Sequence, residues 1–359
     1  MIYAGIDVHK KFSYVTSMNE RGAIIKQGRI EHGNEISNAP WHYVIEKMEE
    51  PVSVAIEATG FWGPVYEALE PLVAEVNLAH PLKTRAIADA RIKTDKIDSE
   101  VLAHLLRTNL LPTCYIPPRE IRDKREMLRY RISLVAMQTM TKNKIHSMLH
   151  KCGYLYEGTD LFGKSGRTYM GSLPLREIYK EELNGYLRIL DYLKKEIRQI
   201  TKRIHEELLS TPEARLIHTI YGAGIYTALL IAMEIGDIRR FGRPAKLVSF
   251  SGLNPSVRSS GGKTRYGSIS KRGSKYLRWA LIIVTQKYKN NKGVLGDFYR
   301  RIAFRHGSKT ARVALARKLA TIIWHMLSKN EPFREEILIK DLYKGTASPN
   351  PSDRLRSSD

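Results

Sequence analysis

The stretch "MIYAGIDVHKKFSYVTSMNERGAIIKQGRIEH", residues 1–32, decides the fold of the amino-terminal part of the chain. Its hydrophobic pattern predicts three strands: an apolar strand that ends near Asp7, a second from Phe12 to Ser17, and a third that starts at Ala23. The turn residues "NERG" separate the last two strands. Strands this close together predict a sheet that begins with the first residues of the chain.

Two more apolar runs extend this sheet in the sequence. They are "PVSVAIEATG", residues 51–60, and "AEVNLAHP", residues 74–81. Helical segments are predicted between them, at 35–49 and 62–73. Strands that alternate with helices indicate an α/β layer fold for the first hundred residues.

Charge is distributed unevenly along the 359 residues, which carry a formal net charge of +22 and a sequence pI near 9.8. Residues 1–100 hold 11 Lys and Arg against 15 Asp and Glu, a net charge of −4. The remaining residues therefore carry +26, which favours a polyanionic partner.

The most basic segment runs from Arg239 to Gly296, with 14 Lys and Arg and no Asp or Glu. Tyr266, Tyr276 and Trp279 are interleaved with these cations, as is typical of a groove that follows phosphates and stacks on bases. The alternative is a basic face that only keeps the protein in solution. The cations expected to contact nucleic acid are Arg258, Lys263, Arg265, Lys271, Arg272 and Lys275.

Cysteine usage and hydropathy indicate the compartment. Only Cys114 and Cys152 are present, without the spacing of a disulfide framework or a zinc site. We find no signal peptide and no apolar run long enough to cross a bilayer. The sequence predicts a soluble cytoplasmic protein that does not act in a membrane.

Long helices follow Pro117. Residues 119–151 contain neither Gly nor Pro, and residues 157–173 predict a loop or hairpin tip between two long helices. In the second helix apolar residues recur every seven positions. They are Leu183, Leu190, Ile197 and Ile204, with Tyr186, Leu193 and Ile200 offset by three. This heptad seam predicts an intermolecular coiled coil, or alternatively a helix that packs on its own chain.

Residues 211–241 follow this seam with two short predicted helices separated by Gly222 and Gly224. The pattern is similar to a helix-hairpin-helix element, whose glycine turn lets backbone N–H groups approach a phosphate. A glycine turn within a packed helical pair is the alternative. The tail from Gly345 has little to bury, and we predict that it is disordered.

Four carboxylates stand where acids are unusual. Asp7 and Glu57 end two apolar strands, and Asp95 and Asp98 are three apart at the start of a predicted helix. If they converge, their repulsion favours bound Mg²⁺ or Mn²⁺, and two such ions can clamp a phosphodiester. Taken singly, Asp98 can pair with a neighbouring lysine and Asp7 can cap a turn. We interpret His9 as a surface or nucleic-acid-facing residue rather than a base.

The motifs "GIDVHK" (5–10), "IEATG" (56–60) and "KTDKIDSEVLA" (93–103) resemble the signature of insertion-sequence transposases with an amino-terminal RuvC-like DEDD domain, relatives of the Piv DNA invertase. "FSGLNPSVRSSGGKTRYGSISKRGSKYLRWAL" (250–281) is similar to their carboxyl-terminal transposase domain. The resemblance spans nearly the whole chain.

This resemblance implies a composite active site made of the acidic quartet and a serine. The quartet is Asp7, Glu57, Asp95 and Asp98, and the serine before the glycines is Ser260, with Ser259 as the adjacent candidate. It also implies an element-encoded guide (bridge) RNA that pairs with donor and target DNA. The residues alone leave a second enzyme open, a RuvC-like structure-selective nuclease that uses metal-activated water, and a third, non-enzymatic reading as a nucleic-acid packaging protein.

The expected architecture has four parts. Residues 1–112 form the RuvC-like (RNase H-like) α/β catalytic domain, and 113–210 the long-helix coiled-coil dimerisation region. Residues 211–330 form a mainly α transposase domain with the catalytic serine, and 331–359 are the tail. The expected assembly is a homodimer or homotetramer.

Overall fold

The computed structural model describes residues 1–88, 94–260 and 263–335, and in the last two ranges it leaves out the side chains of residues 258–260 and 263–266. The chain divides into two compact units, Met1–Pro117 and Pro118–Asp359. The domain boundaries predicted at 112, 210 and 330 stay predictions. The predicted disordered tail lies outside the described residues.

The amino-terminal unit is built on one five-stranded sheet. Its strands are β1 (Ile2–Val8), β2 (Phe12–Met18), β3 (Ile24–Glu31), β4 (Val52–Glu57) and β5 (Glu75–Ala79). They lie in the order β3-β2-β1-β4-β5. The β3–β2 and β2–β1 pairs are antiparallel, whereas β1–β4 and β4–β5 are parallel. All five strands predicted from the sequence are confirmed.

Three helices complete this unit: α1 (Trp62–Leu69), α2 (Pro81–Ile87) and α3 (Asp95–Arg107). The helix predicted at 35–49 is wrong. That segment forms two short 3₁₀ turns, Ile36–Asn38 and Trp41–Val44, because Pro40 lacks the N–H that a continuous helix requires. Trp41 and Val44 are nevertheless buried in the core under the sheet. The mixed sheet with its helices confirms the α/β fold class and is consistent with a RuvC-like domain.

The second unit is mainly helical. Its helices are α4 (Arg119–Lys151), α5 (Lys164–Ser172), α6 (Glu177–Ser210), α7 (Pro212–His218), α8 (Ile225–Ile235), α9 (Pro244–Phe250), α10 (Lys275–Thr285) and α11 (Val294–Lys329). The segment 157–173, predicted as a loop or hairpin tip, lies between α4 and α6 as expected, but α5 occupies its second half. None of the helices in the described parts of the chain combines the length and the hydropathy needed to span a membrane.

Helices α4 and α6 pack against each other as an antiparallel hairpin. Near one end the Arg131 Nε donates a hydrogen bond to the Thr201 hydroxyl (3.0 Å), and Lys124 pairs with Glu207 (3.1 Å). Toward the other end, Ile145 shares an apolar cluster with Leu190. The start of α4 therefore lies beside the end of α6, and the end of α4 lies beside the start of α6, so the two helices are antiparallel.

The predicted heptad seam lies inside this hairpin. Leu183, Leu190 and Ile204 are buried within the single chain, in the same apolar clusters as residues of α4. Their burial favours the alternative that the helix packs on its own chain, because a side chain covered by α4 is not available to a partner. The intermolecular coiled coil predicted from the same residues stays a prediction.

Two further features follow the hairpin. Helices α7 and α8 are joined through Gly222, whose φ of +83° lies in the left-handed region that favours glycine. This matches the helices and turn predicted there, while phosphate binding by the turn stays a prediction. A two-stranded antiparallel sheet, β6 (Pro255–Ser260) and β7 (Lys263–Ile269), follows α9.

Candidate functional site

The carboxyl ends of β1 and β4 place two of the predicted acids at one edge of the sheet. These strands are parallel and in register, with Ile6 opposite Ile56, so Asp7 and Glu57 follow at equivalent positions. Side chains of neighbouring residues in register project from the same face of a sheet. Asp7 is buried, with 9% of its surface exposed, and Glu57 is half-buried.

The start of α3 supplies the other two acids. Thr94 caps the helix, because its hydroxyl oxygen accepts a hydrogen bond from the Ile97 N–H (3.2 Å). Asp95 and Asp98 lie in the first turn. The free N–H groups and dipole of a helix amino terminus stabilise negative charge there, so this position tolerates two carboxylates.

Gly5 allows α3 to approach β1 closely. A side-chain carbon at this position would collide with the Ser99 carbonyl oxygen and the Ala103 nitrogen. The approach is further fixed by a buried hydrogen bond of 2.7 Å between the hydroxyls of Thr16 on β2 and Ser99 on α3. The glycine of "GIDVHK" thus brings the first turn of α3 to the end of β1.

His9 joins the two elements at this point. Its Nε2 lies 3.1 Å from Asp7 Oδ2 and 3.0 Å from Asp95 Oδ1. The turn between β1 and β2 fixes the residue, since the His9 N–H donates to the Phe12 carbonyl (2.9 Å) and the two rings lie 4.9 Å apart. The imidazole is 41% exposed, so the group is accessible from solvent.

Burial and the neighbouring carboxylates destabilise the negative charge of Asp7. Burial raises the pKa of Asp7; His9 lowers it, and repulsion from Asp98 and Asp95 raises it again. The net effect is a raised pKa, which means that the ionised form of Asp7 is destabilised. A bound cation relieves both the burial cost and the repulsion, so the donor set fits a divalent ion.

Asp7, His9 and Asp95 each offer one ligand atom, and these atoms all lie within 4.8 Å of one another. Asp98 acts on Asp7 through its charge. Glu57 shares the sheet edge but does not belong to this group of ligand atoms. We call the four predicted acids together with His9 the acidic edge. The structure therefore brings Asp7 and Asp95 together directly, and it places Asp98 in the same helical turn as Asp95 and Glu57 at the end of β4, the strand next to β1.

His9 is the member of this site that sequence reasoning missed. A surface role facing nucleic acid was predicted, whereas the imidazole contacts two of the predicted acids. The signal in the sequence was its position two residues after Asp7, where a strand turns back on itself. Residues at i and i+2 of a strand point to the same face, which places the imidazole beside the carboxylate.

Three of the predicted nucleic-acid contacts are exposed at the amino end of α10: Lys271, Arg272 and Lys275. The Ser274 hydroxyl caps this helix by accepting from the Leu277 N–H (3.1 Å) and donates to Glu234 (2.8 Å). The side chains of Arg258, Lys263 and Arg265 lie outside the described residues. We call the three exposed cations the α10 cations.

Glu234 holds this region to the rest of its unit. It is buried and pairs with Arg129 of α4 at 3.0 Å. Its second oxygen accepts the bond from Ser274, so α4, α8 and α10 meet at one carboxylate. A buried carboxylate with a charged partner and a hydroxyl donor has its hydrogen bonds satisfied. These contacts hold the amino end of α10, which carries the α10 cations, in place.

The predicted serine lies at the end of β6, where Ser260 pairs with Lys263 of β7. Its side chain lies outside the described residues. The base of this β-hairpin is fixed by Arg278, whose Nη1 donates to the carbonyls of Ser251 (3.1 Å) and Lys271 (3.2 Å). This hairpin was not predicted from the sequence, although two glycines between short polar runs are a hairpin signal.

Comparison with known families agrees with this geometry. Residues 4–153 match a family model described as Transposase, of the DEDD type found in IS110 elements. Residues 214–300 match the model of the Transposase IS116/IS110/IS902 family. The acidic edge falls within the first match and the β-hairpin within the second. A DEDD-type domain indicates dependence on a divalent metal ion.

Relatives resemble the chain over most of its length. The transposase for insertion sequence element IS1111A of Coxiella burnetii is 27% identical over 345 residues, which cover 92% of this chain and 90% of the relative. The transposase for IS1328 of Yersinia enterocolitica is 26% identical, covering 92% and 97%. A pilin gene-inverting protein of Moraxella bovis is 31% identical over 156 residues, 39% of this chain and 46% of its own length. With its DEDD-type domain and its transposase domain, the chain belongs to the IS116/IS110/IS902 family of transposases, enzymes that cleave and join DNA.

Proposed function

We propose that this transposase recombines DNA through a covalent serine–DNA intermediate, with Ser260 as the nucleophile and the acidic edge as a divalent-cation site. The observation that carries the proposal is the meeting of the Asp7 and Asp95 carboxylates at one imidazole nitrogen, 3.1 and 3.0 Å away. This geometry occurs inside the segment that matches a DEDD-type transposase. Hydrolysis by metal-activated water, without a covalent step, is the competing mechanism.

Asp7, Asp95, Asp98 and Glu57 would hold the cation, Mg²⁺ or Mn²⁺. Carboxylate oxygens are the ligands that both ions prefer, and the raised pKa of Asp7 is what a buried carboxylate awaiting a cation shows. The imidazole of His9 adds a nitrogen donor within reach of the same position. A donor set that includes nitrogen favours Mn²⁺ over Mg²⁺, because Mg²⁺ binds nitrogen weakly.

The cation supplies stabilisation of the negative charge that develops on phosphate oxygens during strand cleavage. The chain's own residues do the rest. Asp7 is fixed at a strand end and Asp95 at a capped helix start. Their oxygens therefore need no rearrangement to receive a cation. The exposed α10 cations bind phosphates of the DNA and keep the strand in place.

The covalent step exchanges one ester for another. Ser260 Oγ loses its proton and forms a bond to phosphorus, one P–O bond of the DNA strand breaks, and the leaving oxygen takes up a proton. The phosphoserine ester keeps the energy of the broken bond, so strands rejoin by the reverse reaction without an external energy source. Gly261 and Gly262, directly after the serine, leave room for the phosphate.

An RNA encoded by the element specifies the sites in this proposal. The support is the family resemblance together with the charge, which is +26 beyond residue 100 and exceeds what one duplex contact requires. Specificity then comes from base pairing, as in other RNA-guided enzymes. The active assembly is a homodimer or homotetramer.

Ser260→Ala tests the nucleophile. It should abolish both cleavage and any covalent protein–DNA adduct on denaturing gels with end-labelled DNA, whereas Ser259→Ala should keep both. Peptide mapping of the wild-type adduct should locate the phosphoester on Ser260. Cleavage by Ser260→Ala that leaves free DNA ends would instead support the hydrolytic mechanism.

Removal of RNA tests the guide. Protein purified from its host should carry one discrete RNA, identified by sequencing, and nuclease-treated protein should lose site-specific recombination until that RNA is restored. Changing the loops of the RNA should redirect the reaction to matching DNA. Efficient site-specific recombination by RNA-free protein would contradict this part of the proposal.

A further inference from the structure

A cavity of about 300 Å³ lies at the tip of the α4–α6 hairpin, away from every residue assigned above. Its walls come from the last turns of α4 and from the segment that leads to α5. Residues that line it include His146, His150, Tyr154, Tyr156, Asp160 and Phe162. The volume is at the lower end of the range for ligand cavities, enough for one small planar group.

Planar rings dominate these walls. The rings of His146 and Phe162 meet edge to face at 5.3 Å, and His146 and His150 lie one helical turn apart with ring centroids 6.3 Å from each other. The ring of Tyr156, which also lines the cavity, lies 5.1 Å from the ring of Tyr169 on α5. Five of the lining residues carry planar rings and three are leucines, so the walls offer apolar contact and ring faces on which a flat ligand can stack.

The walls are fixed before any ligand arrives. The backbone N–H of Phe162 donates to the Asp160 side chain (3.0 Å), and the Tyr169 hydroxyl donates to the Leu155 carbonyl (2.9 Å). The hydroxyls of Tyr156 and Ser165 lie 3.1 Å apart. A loop held by its own hydrogen bonds loses little entropy on binding, which favours a preformed pocket.

The surroundings are cationic. Residues 142–167 hold five Lys and Arg against two Asp and Glu. Lys142 Nζ lies 5.1 Å from the Phe162 ring centroid, so a cation stands directly beside the aromatic wall. Among the described residues, the cavity's histidines and Asp160 are not close enough together to share a metal ion. Cations around stacked rings fit a nucleotide, whose base is flat and whose phosphate is negative.

We propose that this cavity binds an unstacked nucleobase of a nucleic-acid loop or single strand, with the phosphates on the surrounding lysines. In a duplex both faces of a base are covered by neighbours, so only a base that has left the stack can enter. The imidazoles of His146 and His150 offer stacking faces together with hydrogen-bonding nitrogens. The inference does not depend on Ser260 or on the acidic edge, and it applies to RNA and DNA loops alike.

Two leucines in place of the histidines test the pocket. The full-length His146→Leu/His150→Leu variant keeps an apolar lining but loses both planar faces. In fluorescence anisotropy it should bind a labelled RNA or DNA hairpin with an unpaired loop at least about fivefold more weakly than wild type. Binding of a blunt duplex without a loop should stay unchanged. The relative loss for the RNA and DNA hairpins shows which strand supplies the base.

His205→Leu is the matched control, since His205 is exposed on α6 and does not line the cavity. Equal losses in the control and the pocket variant would overturn the proposal, as would an unchanged loop preference. The proposal would also be overturned if the leucine variant bound an apolar peptide or protein more tightly while its affinity for the looped hairpins stayed the same.

A second measurement uses only wild-type protein, so it is independent of how the variants fold. Hairpins that carry 4-thiouridine or 5-iododeoxyuridine in the loop are irradiated with the protein, and the cross-linked peptides are identified by mass spectrometry. Cross-links from loop positions should map to the segment 146–162. Cross-links that map only to other segments would contradict the proposal.

Discussion

The acidic edge and the α10 cations place their charged groups in opposite environments. Asp7 is buried at a strand end beside two other carboxylates, and its pKa is raised mainly by burial. Lys271, Arg272 and Lys275 stand exposed at a helix start above a buried and fully paired carboxylate. The first arrangement costs free energy in the isolated protein, whereas the second costs almost none.

This difference separates two kinds of function. At the acidic edge, like charges surround one buried carboxylate, and a bound cation would relieve that unfavourable interaction. Exposed cations need no such relief, because phosphates bind them at the surface with their solvation partly kept. In the proposed function, the costly charge of the acidic edge holds the cation and the exposed α10 cations contact DNA.

The largest effect is expected from breaking the acidic edge. Asp7→Asn or Asp95→Asn should lower recombination by about 100-fold or more, because the group that places charge at the reacting phosphate is lost. Affinity for DNA should change by less than about twofold, since phosphate contacts dominate binding. Recombination of a labelled DNA substrate and filter binding measure the two quantities.

Glu100→Gln serves as the control, because Glu100 lies on the same helix and only approaches His104 at 3.9 Å. This variant should recombine DNA like wild type. If the aspartate variants lost DNA binding as much as activity, the acidic edge and the α10 cations would not have separate roles.

The second prediction concerns the hairpin that α4 and α6 form. Leu190 is fully buried and Ile189, its neighbour on α6, is 48% exposed. Leu190→Lys should lower the free energy of unfolding by about 3–5 kcal/mol, because it places a charge in a packed core, whereas Ile189→Lys should change it by less than about 0.5 kcal/mol. Urea unfolding followed by circular dichroism measures both. A stable, folded Leu190→Lys monomer would restore the intermolecular seam.

This seam shows what a periodic pattern can predict. Seven-residue spacing correctly identified which face of α6 is apolar, since Leu183, Leu190 and Ile204 are all buried. It did not identify the partner, because a heptad stripe is satisfied equally by another chain or by a helix earlier in the same chain. The packing of α6 on α4 within the chain is a tertiary feature that the spacing does not encode.

The acidic edge shows a similar limit. The positions of Asp7 and Glu57 were predictable, since an acid at the end of an apolar strand is unusual on energetic grounds alone. The role of His9 was not, because an imidazole beside an acid in sequence has many possible orientations. The tight turn and the approach of α3 over Gly5 bring Asp95 to the same nitrogen, and both are tertiary features.

The third prediction tests that approach. Gly5→Ala should lower the stability of the protein by about 1–3 kcal/mol, because the added methyl group collides with the backbone of α3. Gly60→Ala is the matched control, since a methyl group there meets nothing within 4 Å. Thermal unfolding with and without Mn²⁺ measures the change. Equal melting temperatures for the two variants would show that α3 does not depend on the glycine.

The smallest effect concerns the cost of the buried charge itself. The folded protein holds the Asp7 pKa above its usual value, so the folded state binds a proton more readily than the unfolded state does. Stability from this group is therefore present at low pH and is lost as the pH rises from the usual carboxyl pKa through the raised one. Near neutral pH, without divalent ions, Asp7→Asn should melt a few degrees higher than wild type.

Titration with pH and cation completes this last test. The advantage of Asp7→Asn should vanish in acid, where the wild-type carboxyl is protonated and also neutral. A cation at about ten times its Kd should stabilise wild type by about 1.4 kcal/mol, or roughly 4 °C, and leave Asp7→Asn almost unchanged. Scanning calorimetry with Mg²⁺, Mn²⁺ or a chelator measures each shift. If Asp7→Asn melts lower than wild type in chelator at neutral pH, the contacts of Asp7 with His9 outweigh its burial, and the acidic edge is a stable ion pair and not a site that awaits a cation.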